Sequence, residues 1–86
     1  MYLYDEDFFS SGEEQSREIA EIIMPYVLNK IRPKSIVDFG CGEGLWLNVA
    51  KSIDKKIEIF GIDGDYINRK RLKIPVECFC PANLEN

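Results

Sequence analysis

The sequence predicts an α/β fold: a Rossmann-like parallel sheet of three strands with helical crossovers, preceded by an N-terminal helix. Three observations predict it. Apolar residues recur at helical spacing between Ile19 and Ile31. Short β-rich runs near 35–39, 57–62 and 75–80 alternate with segments of helical pattern. A glycine-rich turn, Asp38-Phe39-Gly40-Cys41-Gly42-Glu43-Gly44, joins the first strand to the helix behind it. Such alternation calls for parallel pairing and right-handed crossovers.

Residues 1–12 read as an aromatic and acidic arm, with Tyr2, Tyr4, Phe8 and Phe9 among Asp5, Glu6 and Asp7; residues 13–86 form the domain proper. Ser11-Gly12-Glu13-Glu14 has the S-x-x-E form of a capping box and opens the first helix. Its apolar stripe is Ile19, Ile22, Ile23, Tyr26, Val27 and Ile31. Pro25 removes a backbone donor and predicts a kink or restart, and Pro33 closes the element. Ser35 to Phe39 is the first strand, Gly44 to Lys51 a helix, and Ile57 to Ile62 the second strand, stopped by Asp63-Gly64-Asp65. Tyr66 to Leu72 reads as a short helix with a basic outer face. Pro75 to Cys80 is the third strand, on which Cys78 and Cys80 share a face.

Composition narrows the function. Eleven basic against fifteen acidic residues give a net charge of −4, which argues against nucleic acid as a partner. No run approaches a membrane span, and the N-terminus lacks a basic-then-apolar leader, so no membrane partner is expected. Three cysteines and no histidine make neither a disulfide framework nor a metal knuckle. The expectation is an acidic, soluble, cytoplasmic protein without a metal.

The glycine turn carries the chemistry. Glycines between a strand and a helix permit a tight bend and let a nucleotide-like ligand approach the backbone. Dinucleotide sites have the form G-x-G-x-x-G; here the run is G-x-G-x-G, with Asp38 two residues before it and Glu43 inside it. Two carboxylates repel a pyrophosphate and welcome a sulfonium and an ammonium, which favours S-adenosylmethionine over NAD. Asp63 ends the second strand, beside the turn in a parallel sheet, where a carboxylate can accept both hydroxyls of a ribose; it could equally be the aspartate of an ordinary Asp-Gly turn. Asn83 follows the third strand and could meet an adenine edge or merely cap a turn. Tyr66 offers a ring or a hydroxyl, or belongs to the core, and Trp46 reads as a packing residue. The basic group Arg69, Lys70, Arg71 and Lys73 is either a solvated helix face or a surface for an acidic substrate.

On Ser35 to Gly44, Gly61-Ile62-Asp63-Gly64-Asp65-Tyr66 and Phe79 to Glu85, the sequence resembles the class I S-adenosylmethionine-dependent methyltransferases. It is more particularly similar to a bacterial methyltransferase-domain family whose glycine turn runs into a Trp-Leu pair, here Trp46-Leu47. The resemblance implies that Asp38, Gly40, Cys41, Gly42 and Gly44 line the methionine end of the cofactor. It implies that Asp63 takes the ribose, with Gly64, Asp65 and Tyr66 close by and Asn83 at the adenine, where the family has Asp. It assigns no catalytic residue. It further implies strands 3-2-1 of a seven-stranded sheet ordered 3-2-1-4-5-7-6, truncated after the third strand. The 86 residues are then the N-terminal, cofactor-binding half of a methyltransferase, inactive alone, whose methyl acceptor is an unidentified small molecule. Two other functions remain open: a non-catalytic nucleotide-binding or assembly module dimerising through the first-strand edge, and an NAD-dependent oxidoreductase fragment.

Overall fold

The structure, a computed structural model, describes residues 6–82. Helix α1 (Glu6–Ile31) leads into strand β1 (Ser35–Phe39), helix α2 (Leu45–Ile53), strand β2 (Glu58–Asp63), two single 3-10 turns (Arg69–Arg71 and Val76–Cys78) and strand β3 (Phe79–Pro81). The three strands form one sheet in the order β1-β2-β3, with both pairs parallel. Ser35 pairs with Glu58 and Phe39 with Ile62, while Gly61 pairs with Phe79 and Asp63 with Pro81. The α/β class, the parallel pairing and the place of β2 between the other two strands are as the sequence predicts.

Helix α1 departs from expectation in three ways. It begins at Glu6, so residues 6–12 belong to the helix and not to an extended arm, and Ser11 and Gly12 lie inside it and not at its cap; residues 1–5 fall outside the described residues. It runs as one element through Pro25. Pro25 and Glu21 are both exposed, so the carbonyl that loses its partner lies on a side that water reaches. Third, the buried face is not the expected stripe. Ile19, Ile22, Ile23, Tyr26 and Ile31 are exposed, whereas Ala20 and Met24 are buried, with Val27 and Leu28 packed beside them. Apolar residues lie on more than one side of this helix, so periodicity alone had two solutions. The observed solution buries Ala20 and Met24 of α1 in one cluster with Val49 and Ala50 of α2. The helix ends at Arg32, whose φ of 49° is left-handed and whose amide bonds the Leu28 carbonyl at 2.9 Å, followed by Pro33.

A second cluster joins α2 to the sheet: Leu47, Ile57, Ile59, Ile74 and Phe79 are buried together, with Ile36, Cys41, Ile67 and Leu72 around them. The opposite face of the sheet is uncovered among the described residues. Val37, Phe60 and Phe39 (72% exposed) project from it. Strand β3 is shorter than expected because Pro75 opens a 3-10 turn, closed by the Cys78 amide on the Pro75 carbonyl at 2.9 Å. Cys78 therefore sits in that turn, half-buried, and does not share a strand face with the exposed Cys80. The expected helix from Tyr66 to Leu72 is reduced to one 3-10 turn, capped where the Asn68 side chain accepts from the Lys70 amide at 3.0 Å.

Candidate functional site

The site is built where β1 and β2 end. Beyond Phe39 the chain makes a left-handed residue at every second position: Gly40, Gly42 and Gly44 have φ of 77°, 59° and 88°. A Cβ at Gly40 or Gly42 would meet nothing, so the backbone conformation, not crowding, calls for glycine there. Gly44 is constrained twice, because a Cβ would also come within 3.0 Å of the Ile74 side chain. Gly44 then caps α2.

The amides of this turn bond within the protein. Gly40 and Cys41 donate to the Ile62 carbonyl at 2.7 and 3.2 Å, Gly42 donates to Asp63 Oδ2 at 2.8 Å, and Gly44 donates to the Cys41 carbonyl at 3.0 Å. The turn is thus fastened to the end of β2. A cradle for phosphate would need these donors to face outward.

Asp63 is the centre of the arrangement. It is 6% exposed, and its carboxylate accepts three hydrogen bonds: from Gly42 on Oδ2, and on Oδ1 from the Gly64 amide at 2.7 Å and the Tyr66 hydroxyl at 2.6 Å. The Tyr66 hydroxyl above all, then the two amides, holds its carboxyl below the usual range, against the opposing effect of burial. Asp38 pairs in register with Gly61, two residues before Asp63, so both carboxylates belong to the face that α2 covers. Burial, and secondarily the Asp63 charge, pushes the Asp38 carboxyl up.

The remaining predicted residues divide. Tyr66 is 79% exposed, so it is not a core residue; its hydroxyl reaches back to Asp63, and its ring lies against Gly64, where a Cβ would collide with it. The Asp63 hydrogen bond raises the Tyr66 phenol. Cys41 packs its thiol against Gly61, where a Cβ would stand 2.6 Å from the sulfur. Burial first, then the charges of Asp38 and Asp63, pushes that thiol up and keeps it protonated. Asp65 is exposed and held by Arg69 at 2.7 Å. Asn83 lies outside the described residues; the last described residue before it, Ala82, donates its amide to the Asp63 carbonyl at 2.8 Å. Trp46 is exposed on α2 and belongs to neither buried cluster, so the reading of it as a packing residue does not hold among the described residues.

Charge spacing did not reveal the role of Glu43. Its carboxylate is paired with Arg71 at 2.7 Å and Lys73 at 3.3 Å, and both cations also meet Glu13 of α1, at 3.6 and 2.9 Å. Glu43 is therefore neutralised by the chain's own cations and is not the second negative charge that the turn was expected to present. Lys73 also donates its amide to the Glu43 carbonyl at 2.7 Å and accepts at its own carbonyl from Asn48 Nδ2 at 2.7 Å. With Arg69 on Asp65 and over the Phe79 ring, three of the four basic residues read as a possible substrate surface are engaged by the chain itself. A groove of about 600 Å³ lined by Arg32, Lys34, Asp54 and Lys56 lies at the opposite ends of the strands.

The fold and the site define an α/β protein in which, at the carboxyl end of a three-stranded parallel sheet, a glycine turn is fastened to an aspartate. The family model described as a methyltransferase domain matches residues 11–86. The chain belongs to that family, and the resemblance read from the glycine turn and the second strand is borne out at that level. Neither a curated protein nor a solved structure matches the sequence. Among the described residues, no helix is long and apolar enough to cross a membrane.

Proposed function

We propose that the chain binds S-adenosylmethionine at the ends of β1 and β2 and serves methyl transfer to an acceptor. The observation that carries this reading is the inward use of the turn's amides beside two carboxylates. Gly40, Cys41, Gly42 and Gly44 all donate within the protein, while Asp38 and Asp63 give the adjacent surface negative character. That environment opposes a pyrophosphate and suits a ligand with a sulfonium, an ammonium and a ribose.

The residues fit such a group. Asp63, held ionised, accepts from ribose hydroxyls. Gly40, Gly42 and Gly44 keep side chains out of the turn that the methionine end passes. Asp38 supplies negative charge near it, and Gly64, Asp65 and Tyr66 flank the ribose. When bound, the cofactor would supply an activated methyl group on its sulfonium for displacement by an acceptor. The chain's part is to bind and orient, since in-line placement supplies much of the rate in such displacements.

Calorimetry with S-adenosylhomocysteine and NAD in parallel tests the reading. Binding of the adenosyl thioether alone is expected. Heat with NAD alone overturns it.

A further inference from the structure

We propose that the Tyr66 hydroxyl holds the position on Asp63 Oδ1 that the second hydroxyl of a ribose must take over, so that Tyr66 sets how strongly the site prefers a vicinal diol to a single hydroxyl. This rests on the reading above, in which Asp63 receives the ribose.

A carboxylate offers about four acceptor positions. Three are occupied: two on Oδ1 by the Gly64 amide and the Tyr66 hydroxyl, and one on Oδ2 by the Gly42 amide. Among the described residues no second donor reaches Oδ2, which leaves one position there for an incoming hydroxyl. A second hydroxyl has to displace a donor. The amides of Gly42 and Gly64 belong to the backbone at the turn and the strand end and do not yield. Tyr66 is an exposed side chain on a turn, and rotation about its own bonds releases it.

The contact is built into the chain in two ways. At 2.6 Å the phenol–carboxylate bond is short and charge-assisted. The ring lies over Gly64, the residue at which a β-carbon would overlap ring atoms Cδ1 and Cε1. Tyr66 therefore competes for Asp63 from a place the backbone leaves clear for it. A ligand with one hydroxyl binds without disturbing it. A ligand with two exchanges the phenol for its own hydroxyl and gains less than it would at a bare carboxylate.

The experiment titrates adenosine, 2′-deoxyadenosine and S-adenosylhomocysteine into the intact chain and its Tyr66→Phe variant, following amide shifts by NMR. The variant keeps the ring and removes only the hydroxyl. Adenosine and S-adenosylhomocysteine should bind the variant about three- to tenfold more tightly, the effect of removing one competing hydrogen bond at a partly exposed site. Deoxyadenosine should change less than about twofold, because it lacks the vicinal diol and its single ring hydroxyl takes the position on Oδ2 without meeting Tyr66. Weaker or unchanged adenosine binding to the variant, or equal tightening of both nucleosides, overturns the inference while leaving the functional reading intact. Failure of the unaltered chain to bind S-adenosylhomocysteine overturns both.

Discussion

Replacing Asp63 by asparagine keeps the volume of a nearly buried side chain and changes one oxygen into a donor. In one orientation the amide oxygen serves Gly64 and Tyr66, as Oδ1 does now. The NH2 group then faces the Gly42 amide, which now donates at 2.8 Å, so two donors oppose each other and the turn loses its side-chain link to β2. In the flipped orientation the Tyr66 hydroxyl turns to accept from the NH2 group, but the Gly64 amide is opposed instead, so either way one backbone amide loses its partner. An unsatisfied, part-buried amide costs about 1–3 kcal/mol. Loss of the Asp63 charge relaxes its repulsion of Asp38, which offsets part of that, so about 2 kcal/mol is expected, or a fall in Tm of roughly 8–16 °C for a domain of this size. The assay is paired urea and thermal melts of wild type and Asp63→Asn from pH 7 to pH 3. Asp63 has a lowered pKa when folded. Its contribution is therefore fully present above the ordinary carboxylate range and disappears as pH falls below that range through the lowered value. The gap between the two proteins should close accordingly. Equal midpoints at pH 7, or a gap that does not vary with pH, would refute the reasoning.

Asp38 has the opposite sign, because its carboxyl is pushed up by burial and by Asp63. The folded state holds that proton more tightly than the unfolded chain, so stability falls as pH rises from the ordinary carboxylate range through the raised value. Asp38→Asn should melt higher than wild type at pH 7 and equal to it at low pH. The same variant should weaken S-adenosylmethionine more than S-adenosylhomocysteine in calorimetry, since only the former carries a sulfonium. Gly61→Ala would place a β-carbon 2.6 Å from the Cys41 sulfur and 3.2 Å from Ile74 Cδ1, and should cost about 1–3 kcal/mol in chemical denaturation. Adding Cys41→Ala removes the nearest obstacle, so the double variant should recover part of that loss; strict additivity would place the collision elsewhere.

What the sequence disclosed and what it hid follow from the range of the interactions concerned. Strand β1 is bounded as expected because β-branched and aromatic residues are cut off on both sides by Pro33 and Gly40. The glycine turn was legible because left-handed φ angles leave few alternatives to glycine, and Asp63 because a parallel neighbour must end beside that turn. The buried face of α1 was not legible. It packs Ala20 and Met24 against Val49 and Ala50, some thirty positions on, and the isoleucines carry a stronger local pattern than the residues that are buried. Strand β3 was read too long because Val76 and Cys78 suit a strand locally, whereas the bond to the Pro75 carbonyl closes a turn. The pairing of Glu43 with Arg71 and Lys73 was beyond any spacing rule. Complementary charge between an acidic turn and a basic segment was the one available signal, and it named no partners.

Lys73 gathers three distant stretches of the chain onto one residue. Its ammonium meets Glu13 across 60 residues and Glu43 across 30, while its carbonyl takes Asn48 across 25. The glycine bend is fastened to β2 by its own amides, and through Glu43 and this lysine it acquires a second attachment, to both helices. A shift of either helix therefore has a direct route to the bend that does not pass through the sheet.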